Sequence, residues 1–113
     1  MYKNIFVASI VFLIIGCSAI QVNPEAREVE ISVEKPTGVC KRLGEAAGSQ
    51  GNYITGKYTP NVNLIVGARN DLRNNAAEMG GNYVWVQDTN NSSTTSSDGI
   101  INTTIIGMVY HCQ

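Results

Sequence analysis

The sequence predicts a small α+β domain (β-β-α-β-β), in which a mostly antiparallel four-stranded sheet carries one helix on one face and contains one disulfide. Residues 28–34 alternate between apolar and polar side chains, which is the period of a half-buried strand. Residues 62–79 repeat apolar side chains at steps of three and four, which is the period of a helix packed on one side. Cys40 and Cys112 lie where a disulfide can join two strand ends.

The first predicted strand covers residues 28–34. Its alternation predicts that Val29, Ile31 and Val33 face the core while the glutamates between them face water. An acidic outer row also discourages edge-to-edge aggregation. We expect the strand to end before Pro36, which cannot continue a regular ladder.

The second predicted strand, residues 39–48, is less regular than the first. Gly44 lies inside it, and a glycine within a strand indicates a bulge or a close approach of another backbone. Residues 49–61 are polar and rich in glycine, so we expect a loop there before the helix.

The helix is the clearest internal element of the sequence. Its predicted core face consists of Ile65, Ala68, Leu72, Ala76 and Met79. Asn61 or Asn63 can cap its start. The pair Gly80-Gly81 can end it, because glycine adopts left-handed backbone angles without steric cost.

Two further strands are predicted after the helix. Residues 82–88 include Tyr83 and Trp85 among β-branched residues, a composition typical of strands. Residues 88–99 have low complexity and few apolar side chains, so we expect a mobile loop. Residues 102–112 are rich in isoleucine, threonine and valine and predict the last strand.

Charge and composition exclude some classes of function. The chain of 113 residues has eight lysines and arginines against nine acidic residues, and loss of a leader containing Lys3 leaves seven against nine. This balance gives no electrostatic basis for binding nucleic acid. His111, the one histidine, cannot complete a zinc site with two cysteines unless other ligands join. We therefore expect no metal and no cofactor.

The three cysteines fall into two groups by their position in the chain. Cys17 follows an apolar run, which leaves Cys40 and Cys112. In an oxidising compartment two remaining cysteines most often pair, although a metal pair and a redox couple are alternatives. A disulfide places the second and last strands antiparallel and adjacent, with the third strand paired to the last in a hairpin. The helix then makes the crossover from the second strand to the third.

The first residues predict a secretory signal peptide, residues 1–16. Lys3 supplies the basic start, and the apolar run that follows is too short to span a bilayer. The closing Ile14-Ile15-Gly16-Cys17 resembles the lipobox of bacterial lipoproteins. That resemblance implies cleavage before Cys17, lipid on its thiol and acylation of the new amino group. Such triple acylation exceeds what stable membrane anchoring requires.

The rest of the chain is expected to form a tether and one domain. Residues 17–27 have no useful period and predict a short, flexible, lipidated tether, and residues 28–113 form the predicted domain. Ser18 follows the lipidated cysteine, where an aspartate favours the inner membrane in enterobacterial-type sorting. The resemblance to lipoproteins thus implies an outer-membrane anchor that faces the periplasm.

Three stretches of the chain carry a family resemblance. They are Cys40 with Leu43-Gly44-Glu45, residues 68–82, and residues 106–112. They resemble the small bacterial lipoproteins of domain of unknown function family 4156, over nearly all of the mature chain. A more distant likeness, through the Leu-Gly-Glu strand and the last strand, is to the outer-membrane lipoprotein sensor of the Rcs envelope-stress phosphorelay, which has more cysteines. The first family has no established biochemical activity to transfer.

The helix offers a candidate partner surface formed by Arg69, Asn70, Arg73 and Asn74. These side chains can hydrogen-bond a partner protein or a glycan. The alternative, which we favour, is a solvated helix face with local ion pairs between Asp71 and its neighbouring arginines.

Two other groups of residues have alternative interpretations. Tyr83 and Trp85 can form a binding platform, although we expect at least one of them to fill the core. His111 and Cys112 can form a catalytic pair only if the thiol is free. We therefore predict a non-enzymatic, membrane-anchored envelope protein that binds or senses an envelope partner, with no catalytic residues. The alternative is a periplasmic thiol-dependent enzyme or redox protein that uses Cys40 and Cys112.

Overall fold

A computed structural model describes residues 19–51, 61–92 and 102–113 of the protein. The predicted signal peptide, Cys17 and the greater part of both predicted loops lie outside the described residues. The elements are a short 3₁₀ helix Pro24–Ala26, β1 Glu30–Ser32, β2 Cys40–Gly51, α1 Asn61–Glu78, β3 Tyr83–Ser92 and β4 Asn102–Cys112. The predicted α+β class and the order of its elements are confirmed.

The four strands form one mixed sheet in the order β1-β3-β4-β2. β4 runs antiparallel to both β2 and β3, while β1 runs parallel to β3. The predicted adjacency of the second and last strands is therefore confirmed, as is the pairing of the third strand with the last. Cys40 lies directly opposite Cys112 in the register of β2 and β4.

The core lies between α1 and one face of the sheet. Four side chains of α1 are fully buried: Leu64, Ala68, Leu72 and Ala76. On the sheet, Val84 and Val109 are fully buried against them. The alternate residues of β4, such as Met108, are half-buried on the opposite face, which α1 does not cover. We call this opposite side the open face.

The contact face of α1 differs from the predicted one. Leu64 is buried, whereas Ile65 and Met79 are exposed. The face that α1 turns toward the sheet repeats at steps of four, through Leu64, Ala68, Leu72 and Ala76. This face is chosen because α1 makes its closest contact with the sheet at Ala68 and Leu72. The predicted stripe was therefore right at its centre and wrong at both ends.

A glycine sets that closest contact. Gly48 is buried in β2, and a Cβ built on it would collide with the Ala68 carbonyl oxygen and the Leu72 amide nitrogen of α1. The same Cβ would lie only 2.6 Å from the Leu72 Cβ. The absence of a side chain thus lets the helix backbone rest directly on the strand.

Several strand boundaries also differ from the predicted ones. Val33 is exposed because β1 ends at Ser32. β2 continues to Gly51 and β3 to Ser92, into segments predicted as loops. Both extensions pair with β4, which supplies backbone partners whatever side chains the extensions carry. A polar composition therefore did not prevent strand formation.

Both long pairings contain an irregularity. The register of β2 against β4 shifts between Arg42 and Gly44, which confirms the predicted bulge. Gly44 has a φ of 143°, a value that side chains rarely tolerate. β3 has a second shift, between Val86 and Asp88, which was not predicted.

Candidate functional site

Side chains of α1 hold the N-terminal segment of the described chain. We call residues 19–29 the strap. Asparagine side-chain amides of α1 bond its backbone, because an amide can donate to a carbonyl and accept from a backbone N–H. These bonds do not depend on which side chains the strap carries. The bonds run from Asn70 Nδ2 to the Ile20 carbonyl (2.9 Å), from Asn74 Nδ2 to the Gln21 carbonyl (3.0 Å) and from the Asn23 amide to Asn74 Oδ1 (2.8 Å).

Both ends of the strap have a further anchor. The Ile20 amide donates to Gln50 Oε1 of β2 at 2.7 Å. Arg73 Nε donates to the Val29 carbonyl at 3.2 Å. Partial burial, and secondly the positive charge of Arg69, lower the pKa of Arg73. Ala26 of the strap is fully buried, so apolar contact adds to these bonds.

The predicted partner residues thus face a segment of their own chain. Asn70, Arg73 and Asn74 contact the strap, and Arg73 Nη1 also donates to Asn70 Oδ1 at 3.1 Å. Arg69 is half-buried one turn closer to the start of α1. No sequence period reveals the strap, since its contacts use backbone groups.

A second pair of α1 side chains covers the outer edge of β2. The Ser49 amide donates to Asp71 Oδ2 at 2.9 Å, and Asn75 Nδ2 donates to the Ala47 carbonyl at 2.7 Å. These backbone groups point away from β4, so they would otherwise be open to another strand. Asp71 and Asn75 therefore protect an exposed edge.

The aromatic pair lies on the open face. Tyr83 and Trp85 are half-buried and pin the segment that follows β1. The Tyr83 hydroxyl donates to the Glu34 carbonyl at 2.6 Å, and Trp85 Nε1 donates to the Val33 carbonyl at 3.2 Å. The Lys35 ammonium lies 5.9 Å from the centre of the Trp85 ring. The expectation that at least one of these aromatics fills the core is wrong, because α1 covers the other face of the sheet.

A cleft of about 350 Å³ opens beside this segment. Its lining is mainly polar and carries charges of both signs, with the disulfide at one wall. The lining residues are Glu30, Ser32, Glu34, Lys35, Pro36, Thr37, Tyr83 and Cys112. Such a cleft can accept a polar segment of a partner through hydrogen bonds and charge pairs.

The disulfide closes the end of the sheet at this cleft. Cys40 and Cys112 are bonded, with their α-carbons 4.0 Å apart, which confirms the predicted pair. The neighbouring His111 is exposed, and its Nδ1 lies 3.1 Å from the Gly80 carbonyl oxygen. In this oxidised form neither cysteine offers a thiolate to a histidine.

Asn82, which was not among the predicted site residues, reinforces the same end of the sheet. Asn82 Nδ2 donates to the Cys112 carbonyl, and the Cys112 amide donates to Asn82 Oδ1, both at 2.7 Å. The side chain thereby binds the Cys112 backbone as a neighbouring strand would. The only sequence signal was its place directly after the helix-ending glycines.

The described ranges contain neither a cluster that could bind a metal ion nor a helix that could span a membrane. Within residues 19–51, 61–92 and 102–113, no three histidine, cysteine or acidic side chains come together in a way that could hold a metal ion. No helix in those ranges is both long and apolar enough to cross a membrane.

Comparison with known proteins places the chain in a family. The uncharacterized protein YjeI of Escherichia coli K12 is 36% identical over 101 residues, which is 88% of this chain and 86% of that protein. The YjeI proteins of Escherichia coli O6:H1 and Shigella flexneri match equally. The family model described as "Domain of unknown function (DUF4156)" matches residues 20–112, from Ile20 of the strap to the second cysteine of the disulfide. The chain therefore belongs to the DUF4156 family.

Proposed function

We propose that the protein is a lipid-anchored component of the bacterial cell envelope that acts by binding or sensing an envelope partner, without catalysis. The observation that carries this proposal is the division of the cysteines. Cys40 and Cys112 are bonded to each other, which leaves Cys17 at the end of the apolar leader for lipid. A structural disulfide also fits an oxidising compartment.

The strap supports an anchor placed immediately before the domain. Ile20, the first residue of the strap that is bonded to another element, follows Cys17 by three positions. A lipid on Cys17 would therefore hold the folded domain against the membrane surface. An outer-membrane location facing the periplasm is part of this proposal, through Ser18.

The cleft lies at the opposite end of β2 from this anchor. Ile20 is bound at Gln50, and the disulfide lies ten residues earlier in β2, at Cys40. At about 3.3 Å per residue the two ends are roughly 30 Å apart. The cleft and the aromatic pair would then be presented away from the lipid, where a partner protein can reach them. Signalling of the kind suggested by the distant Rcs likeness would use this end.

Mass analysis tests the anchor and the disulfide together. Protein extracted from membranes is measured intact, and its cysteines are alkylated with and without prior reduction. We expect a lipid mass on Cys17 and alkylation of Cys40 and Cys112 only after reduction. A C17S variant is the matched control, and it should leave the membrane fraction with its disulfide unchanged. Recovery of wild-type protein from the soluble fraction would contradict the proposal.

A thiol-dependent function is the second candidate, because Cys112 lines the cleft. It requires a thiol that is free in the native protein. Alkylation of either cysteine without reductant would favour this candidate, whereas resistance to alkylation supports the structural disulfide.

A further inference from the structure

The start of α1 carries an exposed apolar surface. Val62 is 62% exposed, and Ile65 and Val66 are each 42% exposed. Steps of three and four along a helix bring these side chains together on its outer side. We call Val62, Ile65 and Val66 the apolar patch.

The course of the strap leaves the patch within reach of a lipid on Cys17. The strap advances along α1 from Asn70, which binds Ile20, to Asn74, which binds Gln21. Traced backwards, it runs toward the beginning of α1. Three extended residues reach about 10 Å, while the four helix residues from Asn70 back to Val66 span about 6 Å. The reach of the chain from Ile20 to Cys17 therefore covers the patch.

Charge in the same region suits a lipid surface. The first nine residues of α1, 61–69, contain no carboxylate, and Arg69 follows the patch by one turn. An exposed apolar surface next to an arginine matches the boundary between headgroups and acyl chains of a bilayer with anionic lipids. We propose that the apolar patch rests on the bilayer and fixes the orientation of the domain on the membrane. This inference depends on the proposed lipidation of Cys17.

A tryptophan scan in vesicles tests the contact. The full lipidated protein is reconstituted into phosphatidylethanolamine and phosphatidylglycerol vesicles with brominated acyl chains, which quench nearby tryptophan. Trp85 is replaced by phenylalanine, since it is the one native tryptophan, and V62W or V66W is introduced. The matched control is V39W, because Val39 is 71% exposed at the disulfide end.

We expect V62W and V66W to be quenched roughly twofold or more relative to V39W, with blue-shifted emission. If W85F does not fold, V62W, V66W and V39W are made in the protein that keeps Trp85. The quenching of Trp85 alone is then subtracted from that of each variant. Equal quenching of V62W and V39W would overturn the inference. A blue shift that grows with protein density, without quenching by brominated lipid, would also overturn it and assign the patch to a second copy of the chain.

Intact mass of the same samples separates the two proposals. Lipid on Cys17 without quenching of V62W means that the patch inference fails while the anchored protein stands. Absence of lipid on Cys17 means that the proposed function itself fails.

Discussion

Replacing Gly48 with alanine tests how α1 rests on the sheet. The new Cβ would lie 2.6 Å from the Leu72 Cβ and would collide with backbone atoms of Ala68 and Leu72. Backbone cannot turn aside as the end of a flexible side chain can. The helix must therefore move away from β2 or the strand must bend.

The size of the effect follows from these contacts. Carbon atoms normally approach to about 3.5 Å, so the helix would have to move by roughly 1 Å. Overpacking of this kind costs about 1–3 kcal/mol, and contact with backbone argues for about 3 kcal/mol. An alanine without strain would instead stabilise the strand by up to about 1 kcal/mol, because Gly48 has no left-handed φ. A close helix contact at Gly48 therefore predicts that the substitution lowers the free energy of unfolding, whereas an open site predicts that it raises this free energy.

Urea unfolding of the oxidised chain with Cys17→Ser, followed by Trp85 fluorescence, measures the difference. At slopes of about 1–3 kcal/mol/M, a loss of 3 kcal/mol lowers the midpoint by about 1 M or more. Ser49→Ala is the matched control: it changes the next residue, which is exposed, and we expect little effect. A midpoint for Gly48→Ala equal to or above the wild-type value would refute the close approach.

Three further predictions concern the disulfide end and the strap. Replacing Cys40 and Cys112 together by alanine opens a loop of 72 residues and should cost about 4 kcal/mol by urea unfolding, and a loss below about 1 kcal/mol would contradict a stabilising bond. Asn82→Ala should cost about 2 kcal/mol by the same assay, and Asn82→Asp less because it keeps the acceptor for the Cys112 amide; equal losses would contradict the two-bond arrangement. Asn70→Ala with Asn74→Ala should speed amide hydrogen exchange in the strap but not in β4, and unchanged strap exchange would contradict the bonds described.

Local periods made the element order predictable, while contacts between elements decided the rest. The four-residue steps of α1 are visible in the sequence, but the choice of Leu64 over Ile65 depends on Gly48, which lies in another element. Asn90 and Asn91 look like loop residues, and they become strand because β4 lies beside them. Tyr83 and Trp85 look like core residues, yet α1 packs on the opposite face of the sheet.

The asparagine-rich stretch from Asn70 to Asn82 shows the same limit most clearly. The sequence suggested a polar surface or local ion pairs. In the structure, Asn70 and Asn74 bind the strap, Asn75 binds β2 and Asn82 binds the last strand. Each of these bonds reaches a backbone group far away in the sequence. Composition could indicate that the stretch is polar, but not which backbone each amide binds.

The last of the described strands, β4, occupies the interior of the sheet. Among the described strands, β2 pairs with β4 (Asn102–Cys112) alone, and β4 separates it from β3 in the order β1-β3-β4-β2. It also supplies the core residues Ile105 and Val109. A chain that emerges N-terminus first, from a ribosome or through a membrane, therefore cannot join β2 to β3 until β4 has emerged. A product truncated before Asn102 would keep the paired strands β1 and β3 but would leave β2 without the strand that it pairs with.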